Sequence, residues 1–159
     1  MATKGQATDQ ALHRKLAIDL FNLVWDLLDK EDRSVEENDR MIHAAHASRY
    51  HWGEIGSPLE FARGEWQISR VYAALNRPQA ALYHAQRCLD ICRANDIGDF
   101  DIACAYEALT RAYAVAGQAE QSRKYIELGE QAAKNIKDKD DQANFLDELG
   151  SVTDTLVEG

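Results

Sequence analysis

With 159 residues, 45% of them apolar and 28% charged, the chain is long enough to bury one core, and its length gives no reason to expect two domains. A net charge of −9, from 27 acidic and 18 basic side chains, argues against nucleic-acid phosphates or an anionic membrane surface as partners. No apolar run approaches the ~20 residues a membrane helix needs, and the opening MATKGQATDQ lacks the apolar core of a secretion signal. A cytoplasmic location and reduced, mostly buried Cys88, Cys92 and Cys104 are therefore expected. Two prolines and nine glycines among recurrent alanine, leucine and glutamate favour long helices, so the expected fold is all-α.

Residues 1–8 read as a disordered lead. The first helix is expected from about Asp9 to Asp29, where Leu12, Leu16, Leu20, Leu23, Val24, Leu27 and Leu28 recur at three- and four-residue steps, widened by Phe21 and Trp25. A second begins at SVEE, where Ser34 and Glu37 form a Ser-x-x-Glu capping box, and runs to about Glu54. GSPLE then closes one helix and opens the next: Gly56 suits a left-handed exit, Ser57 a cap, Pro58 a first turn and Glu60 the return bond. The third helix reaches about Leu75, and NRP turns into a fourth from Pro78 to about Asn95. NDIGD, AGQ and KDKDD separate a fifth, a sixth and a last, acidic helix over about 140–157, giving seven in all. From Lys137 onward, seven carboxylates stand against Lys137 and Lys139, so that end should be strongly solvated.

Short connections make successive helices antiparallel neighbours, which leaves an up-and-down bundle or a stack of helical hairpins. An internal repeat favours the stack. SRVYAALNRPQAAL (69–82) lies over TRAYAVAGQAEQSR (110–123) with Arg70 and Arg111, Tyr72 and Tyr113, and Ala73 and Ala114 each 41 apart. Over roughly residues 60–133 the chain resembles the tetratricopeptide repeat family. Glu65, Ile68, Ser69, Tyr72, Ala81 and Ala85 stand loosely on the family's pattern, and Tyr106, Leu109, Thr110, Tyr113, Ser122 and Ile126 form a second copy. The chain departs from the family in its 41-residue period against ~34, in Ser69 and Thr110 where glycine is usual, and in Glu65 with Trp66 one residue late. The resemblance implies a single domain, with an N-terminal hairpin over 9–55, two repeat hairpins over 58–135 and a capping helix over 140–157. It also implies a protein-binding adaptor with the first helix of each hairpin lining a concave groove; neither an enzyme activity nor a cofactor is expected.

On those groove helices Arg63, Trp66 and Arg70 share one face at i, i+3 and i+7, and Glu107 and Arg111 share another at i and i+4. The 41-residue offset sets Arg70 beside Arg111 and Trp66 beside Glu107. Forked arginines around a tryptophan suit a carboxylate or an acidic peptide, whereas the simpler alternative pairs them with Glu60, Glu65 or Glu107.

HAAHASRYHW (43–52) concentrates three of the five histidines. His43 and His46 sit within one turn of each other, but His51 is roughly 12 Å along the axis from His43, so one metal cannot readily take all three. His43, His46 and Tyr50, with Arg49 and Trp52, are instead expected to close the end of the groove beside Trp66. His84, Cys88 and Cys92 span a similar distance and read as core, while Cys104, near a helix start, is the one thiol placed for a lowered pKa.

The leading expectation is an adaptor holding a peptide or partner protein, preferably acidic, in its groove. A small-molecule or metal protein centred on His43, His46, Tyr50 and Trp66, or a homodimer through the apolar first helix, are the alternatives. No phosphate loop, nucleophile elbow or dinucleotide glycine pattern appears.

Overall fold

The structure, a computed structural model, describes residues 3–157, and these form seven α-helices with no strand among them. The helices are α1 (Lys4–Leu28), α2 (Val35–Ile55), α3 (Pro58–Ala74), α4 (Pro78–Ala94), α5 (Asp99–Val115), α6 (Ala119–Ala133) and α7 (Lys139–Val157).

Boundaries inside the chain follow the expected punctuation, and two details are corrected. The lead is not disordered from residue 3 onward: α1 starts at Lys4 because Thr3 and Gln6 make a reciprocal cap. The Gln6 amide donates to Thr3 Oγ1 at 3.3 Å and the Thr3 amide to Gln6 Oε1 at 2.9 Å, which satisfies donors that would otherwise fray. A polar cap ahead of the apolar stripe leaves no periodic signal; residues 1–2 lie outside the described residues. The second correction is Gly56, which is extended (φ −91°, ψ −172°) and not left-handed. Glycine is required there by close approach, since a Cβ would stand 2.8 Å from the Trp52 carbonyl oxygen.

Local hydrogen bonds close each hairpin. Arg33 Nη1 donates to the carbonyls of Leu27, Leu28 and Lys30, capping the open end of α1, while its Nε reaches Asn38 Oδ1 on α2 at 2.9 Å. At the ends of α3, α4 and α5 the chain passes through Asn76, Asp96 and Gly117, with φ of 56°, 52° and 74°. The next amide of each reaches back five residues at 2.9 Å, Arg77 to Tyr72, Ile97 to Cys92 and Gln118 to Tyr113, in the Schellman pattern.

The 41-residue offset is thus repeated in geometry. Asn76 and Gly117 hold equivalent left-handed positions, and Ser69 and Ala81 correspond to Thr110 and Ser122. Ser69 Oγ donates from α3 to the Ala81 carbonyl on α4 at 2.8 Å; Ser122 Oγ donates from α6 to the Thr110 carbonyl on α5, also at 2.8 Å. The same close contact is made twice, with donor and acceptor helices exchanged.

The hairpins α1–α2, α3–α4 and α5–α6 stack in order, and α7 packs on α5 and α6. The backbones of α1, α3, α5 and α7 approach one another in succession, whereas those of α2, α4 and α6 do not, so the odd-numbered helices form the inner layer. Val24, Met41, Ile68 and Val71 join the first hairpin to the second, and Cys88, Leu89, Ala105 and Leu109 join the second to the third. Phe145 and Leu149 attach α7 through Ala103, Ile126 and Ala133. With Val152 they put three almost wholly buried side chains on this helix, each worth about 1.5–3 kcal/mol, so α7 is firmly anchored. None of the helices is long and apolar enough to cross a membrane.

The repeat predicts a substitution pattern. A Cβ at Gly117 would meet nothing within 4 Å, so Gly117→Ala should cost only the left-handed backbone penalty of about 1–2 kcal/mol. Gly117→Asn should recover most of it, as Asn76 does in the equivalent turn; urea denaturation of the two variants measures the difference.

Candidate functional site

The inner helices α3 and α5 meet at Glu107. This carboxylate projects from the middle of α5, is 3% exposed, and would be costly to bury without partners. Arg111, one turn later on the same helix, brings Nε to 2.8 Å and Nη2 to 2.7 Å of Glu107 Oε1. From α3, the Trp66 indole Nε1 donates to Oε2 at 3.3 Å and Arg70 Nη1 lies 3.5 Å from Oε1. The expected adjacency of Trp66 with Glu107 and Arg70 with Arg111 is therefore present, and Glu107 is a fixed internal partner of the arginines.

The outer side of the arginine fork holds a second carboxylate. Glu148 Oε2 on α7 lies 3.1 Å from Arg70 Nη1 and 3.4 Å from Arg111 Nη2, while Ser151 Oγ is 3.5 Å from Arg111 Nη2. The Glu148 side chain is 54% exposed and those of the arginines 23% and 20%, so the inner carboxylate is sealed and the outer one stands at the water boundary. Ion pairs at that boundary are worth about 0.2–1 kcal/mol.

Apolar and aromatic side chains flank the fork. Trp25 of α1 packs on Trp66 with ring centroids 5.3 Å apart. Two small cavities, of about 70 and 110 Å³, share Trp66, Phe100 and Cys104 in their linings, the second extending to Phe145 and Glu148. A third, of about 300 Å³, shares Trp25 and Arg70 with the second and continues past Leu28, Arg33, Arg111 and Val115. Together they trace one groove. At its far end Arg63 is clamped by Asp101, Nε to Oδ1 at 2.8 Å and Nη2 to Oδ2 at 3.2 Å, and these bonds push the guanidinium pKa further up. Cys104 is no activated nucleophile: burial, with Glu107 and Asp101 nearby, pushes its thiol far above the ordinary value.

The histidine-rich stretch does not close this groove. His43, His46 and Tyr50 are exposed on α2, outside the inner layer, and the wall opposite Trp66 is supplied by Trp25 on α1. The reason is architectural, since successive first helices of hairpins become neighbours and α2 is a second helix. His46 turns towards α3 and α4, with Nε2 2.8 Å from Tyr72 Oη and its ring centroid 5.4 Å from that of His84. Partial desolvation of its ring, then the His84 charge, lowers the His46 pKa and favours the neutral form, although the residue as a whole stays exposed. His84 Nδ1 meets Glu65 Oε2 at 2.6 Å. Burial raises the Glu65 pKa, but the bond and charge of His84, with Arg49 and Arg87, bring it below the usual value. His51 pairs with His13 on α1 at 2.9 Å, so the three histidines of the stretch are not gathered. Among the described residues no group of three or more His, Cys, Asp or Glu side chains is arranged to hold a metal.

Trp25, Phe100, Asp101, Phe145 and Glu148 complete the site and were absent from the expected set. Trp25 was visible only as part of a core stripe. Phe145 and Glu148 carried the signal of an i, i+3 pair on an acidic amphipathic helix, without any indication of what the helix would cover.

Removing one partner of Glu107 should expose its desolvation cost. Arg111→Ala is expected to lower stability by about 3 kcal/mol, and Arg111→Ala combined with Glu107→Gln to restore most of that loss. A double-mutant cycle in urea measures both. Comparison of the chain with protein-family models, curated proteins and solved structures found no match.

Proposed function

We propose that the protein is a tetratricopeptide-like adaptor whose inner helix layer binds an acidic segment of a partner protein. The observation that carries this reading is the fork itself: Arg70 and Arg111, from successive hairpins and one repeat apart, converge on a carboxylate presented by a third helix, that of Glu148. Guanidinium pairs of fixed geometry select carboxylates by direction as well as by charge. The aromatic groups beside the fork supply the apolar floor that a peptide side chain needs.

Peptide is favoured over a compact metabolite because the groove is long. Arg63 and Arg70 alone lie roughly 10 Å apart along α3, and the 300 Å³ cavity extends it beyond Arg70 towards Arg33. Recognition, rather than bond-making, also suits the chemistry of the lining, in which Glu107 is permanently paired and Cys104 is held as a thiol.

The test must avoid leaving Glu107 unpaired, so the fork is best neutralised as Arg70→Gln, Arg111→Gln and Glu107→Gln together. The tagged protein and this triple variant are compared by quantitative capture of partners from the cell of origin, with an outer-helix control, Arg87→Gln and Arg93→Gln. Circular dichroism establishes that both variants are folded. Partners retained by the parent and the control should be lost from the triple variant; equal capture by all three would overturn the groove assignment.

A further inference from the structure

Glu148 has a part in this recognition that goes beyond closing an ion-pair network. Resting on the reading above, we infer that Glu148 is an intramolecular competitor, seated where the partner's carboxylate binds, and that an acidic ligand displaces its side chain while α7 stays in place.

Three observations carry this. The first is the contrast in anchoring on α7. Phe145, Leu149 and Val152 are each 2% exposed, whereas the Glu148 side chain is 54% exposed. The helix is locked by its apolar face, and the carboxylate beside that face can leave by rotation about its own side-chain bonds.

The second is charge. Arg70 and Arg111 contribute two positive charges to the fork, balanced by Glu107 and Glu148. Glu107 is sealed against Trp66 and cannot be exchanged without opening α3 from α5. Once Glu148 turns to solvent, the fork keeps one uncompensated positive charge in a largely covered position, which an incoming carboxylate neutralises and a neutral side chain does not.

The third is the space next to the fork. The cavity of about 300 Å³ shares Arg70 and Arg111, adds the charged residues Asp29 and Arg33, and has Trp25, Leu28 and Val115 as its apolar walls. A ligand carboxylate entering from that side brings a neighbouring apolar side chain into contact with these walls, a gain that Glu148 itself does not make. The ligand thus wins on apolar contact, while competition with Glu148 sets a threshold that excludes neutral sequences.

The inference is tested with a fluorescein-labelled peptide of residues 139–157, whose helix presents the Glu148 carboxylate to this fork beside Phe145 and Leu149. Its affinity for the intact protein and for the Glu148→Gln variant is measured by fluorescence anisotropy at low salt. Removing a competitor of this exposure should tighten binding about fivefold, the equivalent of one boundary ion pair. A peptide carrying Glu148→Gln should show no such gain.

Equal affinity of parent and variant for the acidic peptide, abolished by neutralising Arg70, Arg111 and Glu107 together, would overturn the competition and leave the groove assignment standing. Binding that survives that neutralisation, or no binding to either protein, would overturn both.

Discussion

A carboxylate buried in the middle of a helix dictates how the inner face is built. Glu107 carries its charge into a site 3% open to water, and its tolerance there depends on donors from two hairpins: Arg111 on its own helix, and Trp66 and Arg70 on α3. These bonds fix the rotation of α3 and α5 about their axes. They also leave both guanidinium groups with donors aimed outward, where Glu148 meets them. The same contacts that satisfy the inner carboxylate therefore prepare a place for an outer one.

The repeat makes that arrangement possible. Asn76 and Gly117 end their helices in the same left-handed turn, and Ser69 and Ser122 draw their hairpins together through equivalent hydroxyl bonds. Because the two hairpins turn alike, residues 41 apart arrive side by side, and Trp66, Arg70, Glu107 and Arg111 become one cluster. Hairpin stacking also segregates chemistry. The charged fork and its aromatic floor lie on the odd-numbered helices, while the His46, Tyr72 and His84 rings, with Glu65, form a separate polar seam joining α2, α3 and α4.

Much of this was legible in the sequence, and what escaped did so for physical reasons. Ser34 with Glu37 and Pro58 announce helix starts through strong local signals, and the 41-residue offset paired Trp66 with Glu107 correctly. The start of α1 at Lys4 was missed because Thr3 and Gln6 cap a turn that buries almost nothing. Glycine after a helix suggests a left-handed exit, but the constraint on Gly56 is the Trp52 carbonyl of its own helix, a local crowding that no dipeptide pattern reveals. Placing His43, His46 and Tyr50 in the groove assumed that adjacency to α3 gives access to its inner face; α2 approaches α3 from the other side, and Trp25 takes that position. Glu148 escaped because periodicity identifies a buried stripe on α7 without saying which helices it covers.

We propose that a partner is held on the odd-numbered helices. The most direct test is site-specific photocrosslinking in the cell of origin, with benzoylphenylalanine replacing either Phe100 beside the fork or Tyr83, which is exposed on α4. The account predicts that a partner is captured from position 100 and not from position 83. Capture from position 83 alone would place recognition on the outer helices and contradict it.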